Sequence, residues 1–347
     1  MSKALVTGGA GFIGSNVVKL LVDEGYDVFV IDNLSSGYRK NLDQFKAVSF
    51  TEADVRDEAA VMRAMDGAEV VFHLAASVGN VRSIEQPIDD SEVNLLGTIR
   101  VLEAARRAGV RKLICSSSAA IFGELRRLPI PEDHPTEPDS PYGVSKLAEE
   151  KMCLVYSKLY ELDAVCLRYF NVYGVNQRYD AYGNVIPIFA HRLLRREPLI
   201  VYGDGEQTRD FVNVADVARA NLLAARSSGV SGAFNIGAGV SLSVNRLVAM
   251  MLDASETSVP VQHVEPRKGG SPRRRHVFLE RDHARQLHLE RRAVDDAVVF
   301  GDHADPVEEH RLDRVLPRPD GQGKVRQRPE VGVEDQRMAG LKAGRHG

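Results

Sequence analysis

Tyr142 and Lys146 stand four residues apart in Ser140-Pro141-Tyr142-Gly143-Val144-Ser145-Lys146, and on a helix that spacing puts both side chains on one face. A phenol with a pKa of about 10 is a poor base at neutral pH. An ammonium beside it favours the phenolate, which can then take a proton from a substrate hydroxyl. Tyr-x-x-x-Lys alone is commonplace surface decoration, and its position is what singles it out. It follows Ile114-Cys115-Ser116-Ser117-Ser118, a strand-like run ending in three hydroxyls. Ser118 can bridge the phenol and the substrate. Turn serines that satisfy backbone groups are the other reading, and it suits Ser116 and Ser117 better than Ser118.

Near the amino terminus, Gly8-Gly9-Ala10-Gly11-Phe12-Ile13-Gly14 follows an apolar run and opens an amphipathic one. Glycines at 8, 11 and 14 let the backbone turn sharply and approach a pyrophosphate at the positive end of a helix. Asp32 comes eighteen residues after Gly14, where a carboxylate can accept hydrogen bonds from an adenosine ribose diol. NAD is therefore the expected cofactor, because a 2′-phosphate would meet like charge. A turn or helix-capping role in Asp32-Asn33-Leu34-Ser35-Ser36-Gly37 is the alternative. Asp54, in Ala53-Asp54-Val55, either meets the adenine or caps the next helix.

These groups need a frame, and the pattern supplies one. Short β-branched or apolar runs over 4–7, 28–31, 48–51, 70–74, 112–116 and 164–168 alternate with helical periodicity over 12–24, 91–108 and 142–160. Near-continuous apolar strands suit a sheet buried on both faces. Right-handed crossovers then give an α/β fold, a Rossmann-type doubly wound parallel sheet. Its carboxyl edge is where ligands bind, and there Ser118 and Tyr142 fall. After Asn171 the alternation loosens into a loop to Gly183, a helix over 188–196, a strand over 199–202 and a helix over 214–225, read as a smaller C-terminal substrate lobe. The expected division is 1–170 for the NAD-binding domain, with further sheet-associated elements from 205–236, then 171–268 for substrate-lobe elements and 269–347 for an atypical tail.

Bulk properties set limits. A chain of 347 residues suits one large α/β domain with an appended lobe. A formal net charge of −3 supplies no general basic field, so nucleic acid is not an expected partner. Cys115, Cys153 and Cys166 share no metal-ligand spacing and read as buried thiols in a reducing compartment. No metal site is expected. No run of about 18 apolar residues occurs and no signal-peptide pattern opens the chain, so the expected location is cytoplasmic, away from the membrane.

Thr7 to Ser15, Asp32 to Gly37, His73-Leu74-Ala75-Ala76, Ser116 to Gly123, Tyr142 to Lys146, Arg168-Tyr169-Phe170-Asn171 and Thr208-Arg209-Asp210-Phe211 occur in order. With them, residues 1 to about 268 resemble the extended short-chain dehydrogenase/reductases, in the NAD-dependent epimerase/dehydratase group. The most similar branch is the UDP-glucose 4-epimerases, with their relatives acting on N-acetylated UDP-sugars. The resemblance implies that Tyr142 is the base, that Ser118 shares its proton path, and that Lys146 holds the nicotinamide ribose. It puts Gly8, Gly11, Phe12, Ile13, Gly14, Asp32, Asn33, Asp54, Val55, Asn94 and Phe170 against NAD. Asn171, Asn184, Tyr202, Arg209 and Arg267 fall where the family holds the uridine diphosphate. Two guanidiniums can clamp a diphosphate and a tyrosine can stack on uracil, although such arginines are individually more often surface salt-bridge residues.

The implied reaction oxidises C4 of a nucleotide sugar, lets the ketone turn over, and returns hydride to its other face. Related dehydratases and decarboxylases carry an acid just after the strand-five hydroxyl. Here Ala119-Ala120-Ile121-Phe122-Gly123 holds none, which disfavours elimination. Net oxidoreduction of a nucleotide sugar and non-catalytic NAD binding are the competing readings. The resemblance also implies a homodimer formed through helices near 91–108 and 142–160. It ends at Pro266-Arg267-Lys268-Gly269. Beyond Arg267 there is no Ile or Tyr, and six of the ten histidines appear. Either the reading frame shifts near codon 269, leaving a disordered or incomplete lobe, or the tail is a genuine extension, such as a basic arm or a metal-binding one joining His283 and His288.

Overall fold

The computed structural model describes residues 2–179 and 184–266. Arg267 and the tail 269–347 lie outside the described residues. The first half runs β1 (Lys3–Thr7), α1 (Phe12–Asp23), β2 (Asp27–Asp32), β3 (Ser49–Glu52), α2 (Glu58–Met65), β4 (Val70–His73), α3 (Asn80–Glu85), α4 (Pro87–Ser91), α5 (Thr98–Ala108), β5 (Lys112–Ser118) and α6 (Pro141–Tyr160). It continues β6 (Asp163–Tyr169), β7 (Asn171–Tyr173), α7 (Val185–Leu194), β8 (Leu199–Tyr202), β9 (Thr208–Asn213), α8 (Val214–Arg226), β10 (Gly232–Ile236), β11 (Ser241–Ser243), α9 (Val244–Ser255) and β12 (Val261–Val264).

Seven strands form one sheet in the order β10-β6-β5-β4-β1-β2-β3, and every neighbouring pair is parallel. This is the Rossmann-type doubly wound sheet. Its inner strands β1, β4, β5 and β6 are buried along nearly their whole length because both faces are covered, whereas the edge strand β3 is largely exposed. α1 and α8 lay Val17, Val18, Leu21, Val217 and Leu222 on one face. The other face takes Val61, Met65, Val101, Leu102 and Cys153, from α2, α5 and α6. A large apolar side chain so buried contributes about 1.5–3 kcal/mol. Strand order reverses between β1 and β4, and the crevice at that switch point is where such sheets bind ligands.

A smaller layer sits beyond the carboxyl edge. It comprises the strand set β11-β9-β7, the pair β12-β8, and a cluster in which Phe189 and Leu193 of α7 meet Leu247 and Met251 of α9. β10 closes the large sheet beside β6, whereas β9 joins the smaller one, so only part of 205–236 extends the main sheet.

Local departures from the sequence reading have local causes. Val48 donates its N–H to the Phe45 carbonyl in a turn, so the third strand begins at Ser49. The helix expected over 91–108 is interrupted: between α4 and α5 the chain widens into a π-helical turn over Glu92–Gly97. Ser116 and Ser117 belong to β5, opposite Leu167 and Arg168 of β6, and the turn-serine reading does not apply to them. The carboxyl-terminal pieces α9, β11 and β12 were not assigned from the sequence. Among the described residues, no helix is long and apolar enough to cross a membrane.

Candidate active site

The glycine turn follows directly from packing. Gly8 has φ +70°, and a Cβ there would lie 2.6 Å from the Ala75 nitrogen. On Gly14 a Cβ would lie 2.8 Å from Gly9 Cα, so α1 crosses the turn backbone to backbone. Gly11 precedes α1 and no side chain caps that helix, which leaves its first-turn N–H groups available to an anion. They face a cavity of about 530 Å³ that runs from Asp54 past the glycine turn to Tyr142. An uncapped helix start over a Cβ-free turn is what a dinucleotide pyrophosphate requires, so these residues fit NAD.

Gly8, Gly11, Phe12, Ile13, Gly14, Asp32, Asn33, Asp54, Val55, Tyr142, Lys146 and Phe170 all line this cavity. Asp32 is nearly buried, and its carboxylate accepts the N–H groups of Ala10 at 2.9 Å and Leu34 at 2.8 Å. Burial pushes its carboxyl up, while backbone donors pull the other way. Asp32 thus braces the glycine turn as well as facing the cleft. Arg56 grips Asp54 through Nε and Nη2 at 2.9 Å each, and Asn33 donates to the same carboxylate at 2.7 Å. The Arg56 hydrogen bond is the main reason the Asp54 carboxyl is pulled down to about 2. The cap of α2 is Asp57, which accepts from Ala60, so Asp54 is not the capping residue.

Asn94 does not line the cavity. Its Oδ1 accepts from the Ser77 N–H at 2.8 Å, and its Nδ2 reaches Ser77 O, Asp90 and Ser145. It holds the cavity wall from behind, and the π-helical turn carries it there. His73, also absent from the sequence reading of the site, is fully buried between Thr7 at 2.7 Å and Thr98 at 2.8 Å. Thr98 gives its proton to Asn94 O, so it accepts from His73 Nε2–H, and Thr7 donates to Nδ1. Burial, then the Lys146 charge, pulls this imidazole down to about 3.

At the end of β5, Ser118 Oγ accepts from the Ala120 N–H at 3.1 Å and lies close enough to the Tyr142 phenol to favour its ionisation. Ser140 starts α6 by accepting from the Gly143 N–H at 3.1 Å, and Pro141 occupies the first turn, where its missing N–H costs nothing. Tyr142 and Lys146 then share one face, as their spacing predicts. The surrounding protein groups act on the phenol in opposite directions. Burial pushes it above the ordinary tyrosine value, against the pull of Lys146 and Ser118, and the charges of Glu149 and Asp90 add to the rise.

Glu149 has no place in the sequence reading. It is 0% exposed and Lys146 is 1% exposed, and Lys146 Nζ lies 2.6 Å from Glu149 Oε2. The neighbouring carboxylate, Glu150, is held bidentate by Arg168 at 2.9 and 2.8 Å and accepts from Ser117 at 2.7 Å. Beneath them the thiols of Cys115, Cys153 and Cys166 lie within 4.8 Å of one another, unlinked by disulfides, though the spacing of these residues along the chain gave no sign of it.

A second cavity, of about 300 Å³, adjoins the first and shares Val172 and Asn184 with it. Asn171, Tyr202 and Arg209 line it. Asn171 Nδ2 donates to Asp210 O at 3.0 Å, and Arg209 Nη1 donates to Thr208 O at 2.7 Å. The fold thus brings together every expected diphosphate residue except Arg267, which is not among the described residues.

The model of the NAD dependent epimerase/dehydratase family matches residues 4–237. A UDP-glucose 4-epimerase of Mycolicibacterium smegmatis is 38% identical over 293 residues, 82% of this chain and 92% of that protein. The crystal structure of UDP-glucose 4-epimerase from Thermotoga maritima with UDP-glucose superimposes with a TM-score of 0.77 at 40% identity, covering 82% of this chain and 91% of that one. The UDP-N-acetylglucosamine 4-epimerase from Methanobrevibacter ruminantium M1, in complex with UDP-N-acetylmuramic acid, gives 0.79 at 32% identity, covering 90% and 96%.

Proposed function

The chain belongs to the NAD dependent epimerase/dehydratase family, and from that premise we propose that it is an NAD-dependent nucleotide-sugar 4-epimerase acting on a UDP-hexose. One observation carries the reading: Ser118, Tyr142 and Lys146 stand at the end of a dinucleotide-sized cleft that opens into a second cavity with an arginine and a tyrosine in its wall. A coenzyme and a nucleotide sugar can therefore meet at the phenol.

In this scheme Tyr142 takes the proton of the sugar 4-hydroxyl and later gives it back, with Ser118 bridging phenol and sugar oxygen. NAD, when bound, supplies a hydride acceptor and donor for C4 and a positive ring charge that favours the phenolate. Lys146 holds the nicotinamide ribose. Asn171, Asn184, Tyr202 and Arg209 hold the nucleotide diphosphate, leaving the hexose free to turn between the two half-reactions. The region 1–170, with β10 and α8, serves the coenzyme, and the smaller layer serves the sugar nucleotide.

We further propose a homodimer. Ile84, Ile88, Leu96, Val144, Val155 and Leu159 are exposed on α3, α4, the π-helical turn and α6, and a second copy is the natural cover for such an apolar face. Three free, buried thiols suit a reducing cytoplasm. The test of function is incubation of purified protein with UDP-glucose, UDP-N-acetylglucosamine and UDP-glucuronate without added reductant, followed by product separation. The expected result is a C4 epimer with no net change in nicotinamide absorbance. Product formed in step with a lasting absorbance change refutes the reading in favour of net oxidoreduction.

A further inference from the structure

Lys146 carries one positive charge and two candidates for it. Tyr142 lies one turn before it on α6, and Glu149 lies three residues after, on the same face. The Glu149 carboxyl is clamped at both ends. Oε1 accepts from Cys115 Sγ at 2.8 Å, and Oε2 sits 2.6 Å from Lys146 Nζ. Oε2 makes no aligned hydrogen bond, so the contact is an ion pair whose strength is set by charge and distance. Lys146 Nζ also reaches Ser116 Oγ at 3.5 Å, which fixes the ammonium between strand and helix.

No second cation relieves Glu149 among the described residues around it. Arg168, the other buried cation of this region, is held by Glu150. Facing the pair are His73 from β4, Asp90 from α4, Cys115 from β5, Cys166 and Tyr169 from β6, and Tyr142 from α6 itself. His73 stays neutral and Asp90 is acceptor to Ser145 at 2.6 Å.

We propose that Glu149 is a positioning residue for the proposed base: its carboxylate competes with the Tyr142 phenolate for the ammonium of Lys146, and so governs how readily residue 142 releases its proton. The inference rests on the reading of Tyr142 as base, and it adds a residue to that site. The directions bear on both anions: burial, then Cys115, pushes the Glu149 carboxyl well above the usual carboxylate range against the pull of Lys146. Burial pushes the Lys146 ammonium down, but Glu149, Tyr142 and Cys115 outweigh it and hold the ammonium above the usual lysine range. Glu149 opposes ionisation of the phenol. A low-dielectric interior makes such competition effective, since two anions beside one buried cation repel each other with little screening. Formation of the phenolate therefore favours a proton on Glu149, and the loss of that carboxylate favours the phenolate.

The test is an ultraviolet pH titration of phenolate absorbance in the full chain with NAD and no sugar. Each form is paired with its Tyr142→Phe counterpart, and the difference isolates residue 142 among the ten tyrosines. In Glu149→Gln the phenol is expected to titrate about one pKa unit lower than in the parent, a tenfold change in phenolate fraction at a given pH below both midpoints. Glu149→Asp, with the same charge on a stem one methylene shorter, should fall between the two, and it decides alone if the glutamine variant does not fold. An unchanged or higher midpoint in either variant overturns the proposal, as does an aspartate shift as large as the glutamine one, which would indicate lost packing. The titration needs no turnover, so its failure is distinct from failure of the epimerase reading, which the product panel measures.

Discussion

Gly14→Ala tests the coenzyme cleft most sharply, because the obstacle it creates is backbone. The added methyl would lie 2.8 Å from Gly9 Cα and 2.9 Å from the Gly8 carbonyl carbon, whereas carbon atoms in contact prefer about 3.5–4.0 Å. Neither neighbour can rotate away, so α1 must move outward by the better part of an ångström. Overpacking costs about 1–3 kcal/mol, and with no side chain to yield the upper end is expected. For a chain of 347 residues that lowers Tm by roughly 4 °C. The same displacement draws the first-turn N–H groups off the pyrophosphate. Losing one charge-assisted hydrogen bond of about 1.5–3 kcal/mol weakens NAD roughly ten- to hundredfold. Calorimetric titration with NAD and thermal unfolding measure both effects. Gly25→Ala is the control: its φ is +77° but no atom lies within 4 Å, so it should strain only its own turn and leave NAD affinity intact. Gly14→Ala protein that binds NAD as the parent does would refute the argument that this crossing forms the phosphate site.

Tyr142→Phe should keep NAD binding, measured by fluorescence titration, and lose about 10²–10⁴-fold in turnover, the usual contribution of a general base; full activity would remove Tyr142 from that role. Asp32→Ala leaves the Ala10 and Leu34 N–H groups without their acceptor, costing about 1–3 kcal/mol in urea unfolding. It should also narrow the preference for NAD over NADP, and an unchanged affinity ratio would show that Asp32 does not contact the ribose. Arg168→Met strands the buried Glu150 and should destabilise by about 3–5 kcal/mol, with Glu150→Gln in the same chain recovering part of the loss. His73, held at about 3 in the fold against about 6.5 unfolded, binds its proton more readily in the unfolded chain. Its stabilising share is therefore whole above pH 6.5 and declines as pH falls toward 3, by up to about 1.4 kcal/mol per unit. His73→Gln should flatten the acid limb of stability against pH over that window, and an identical slope would contradict the assignment.

Much of this site could be read from one dimension because its parts are local. The glycine turn, Asp32 and the Tyr142–Lys146 pair depend on spacing within a single βαβ unit or helix, and residue periodicity locates those directly. What escaped the reading is made by contacts between distant segments. Glu149 lies only three residues after Lys146, but its burial is set by β5, from which Cys115, thirty-four residues earlier, donates to it, and the three thiols converge only once β5, β6 and α6 pack. Asn94 was assigned to the cofactor by resemblance, yet its amide is engaged by Ser77, Asp90 and Ser145. β12 is exposed along its length, so Val261–Val264 lacks the inward-outward alternation that marks a half-buried strand.

The widened turn at Glu92–Gly97 carries a constraint on length. Its extra residue is what swings Asn94 under Ser77 while leaving Asp90 against Ser145. Deleting one residue there would let the backbone close into an ordinary α-helix with α4 and α5 still in register, because the widened turn absorbs its extra residue, but Asn94 would lose its place under Ser77. Point substitutions on the outer side of this segment should thus be tolerated where a single-codon deletion is not, since loss of the widened turn would unhook the cavity wall at Ser77 and shift Val93, which lines the cavity.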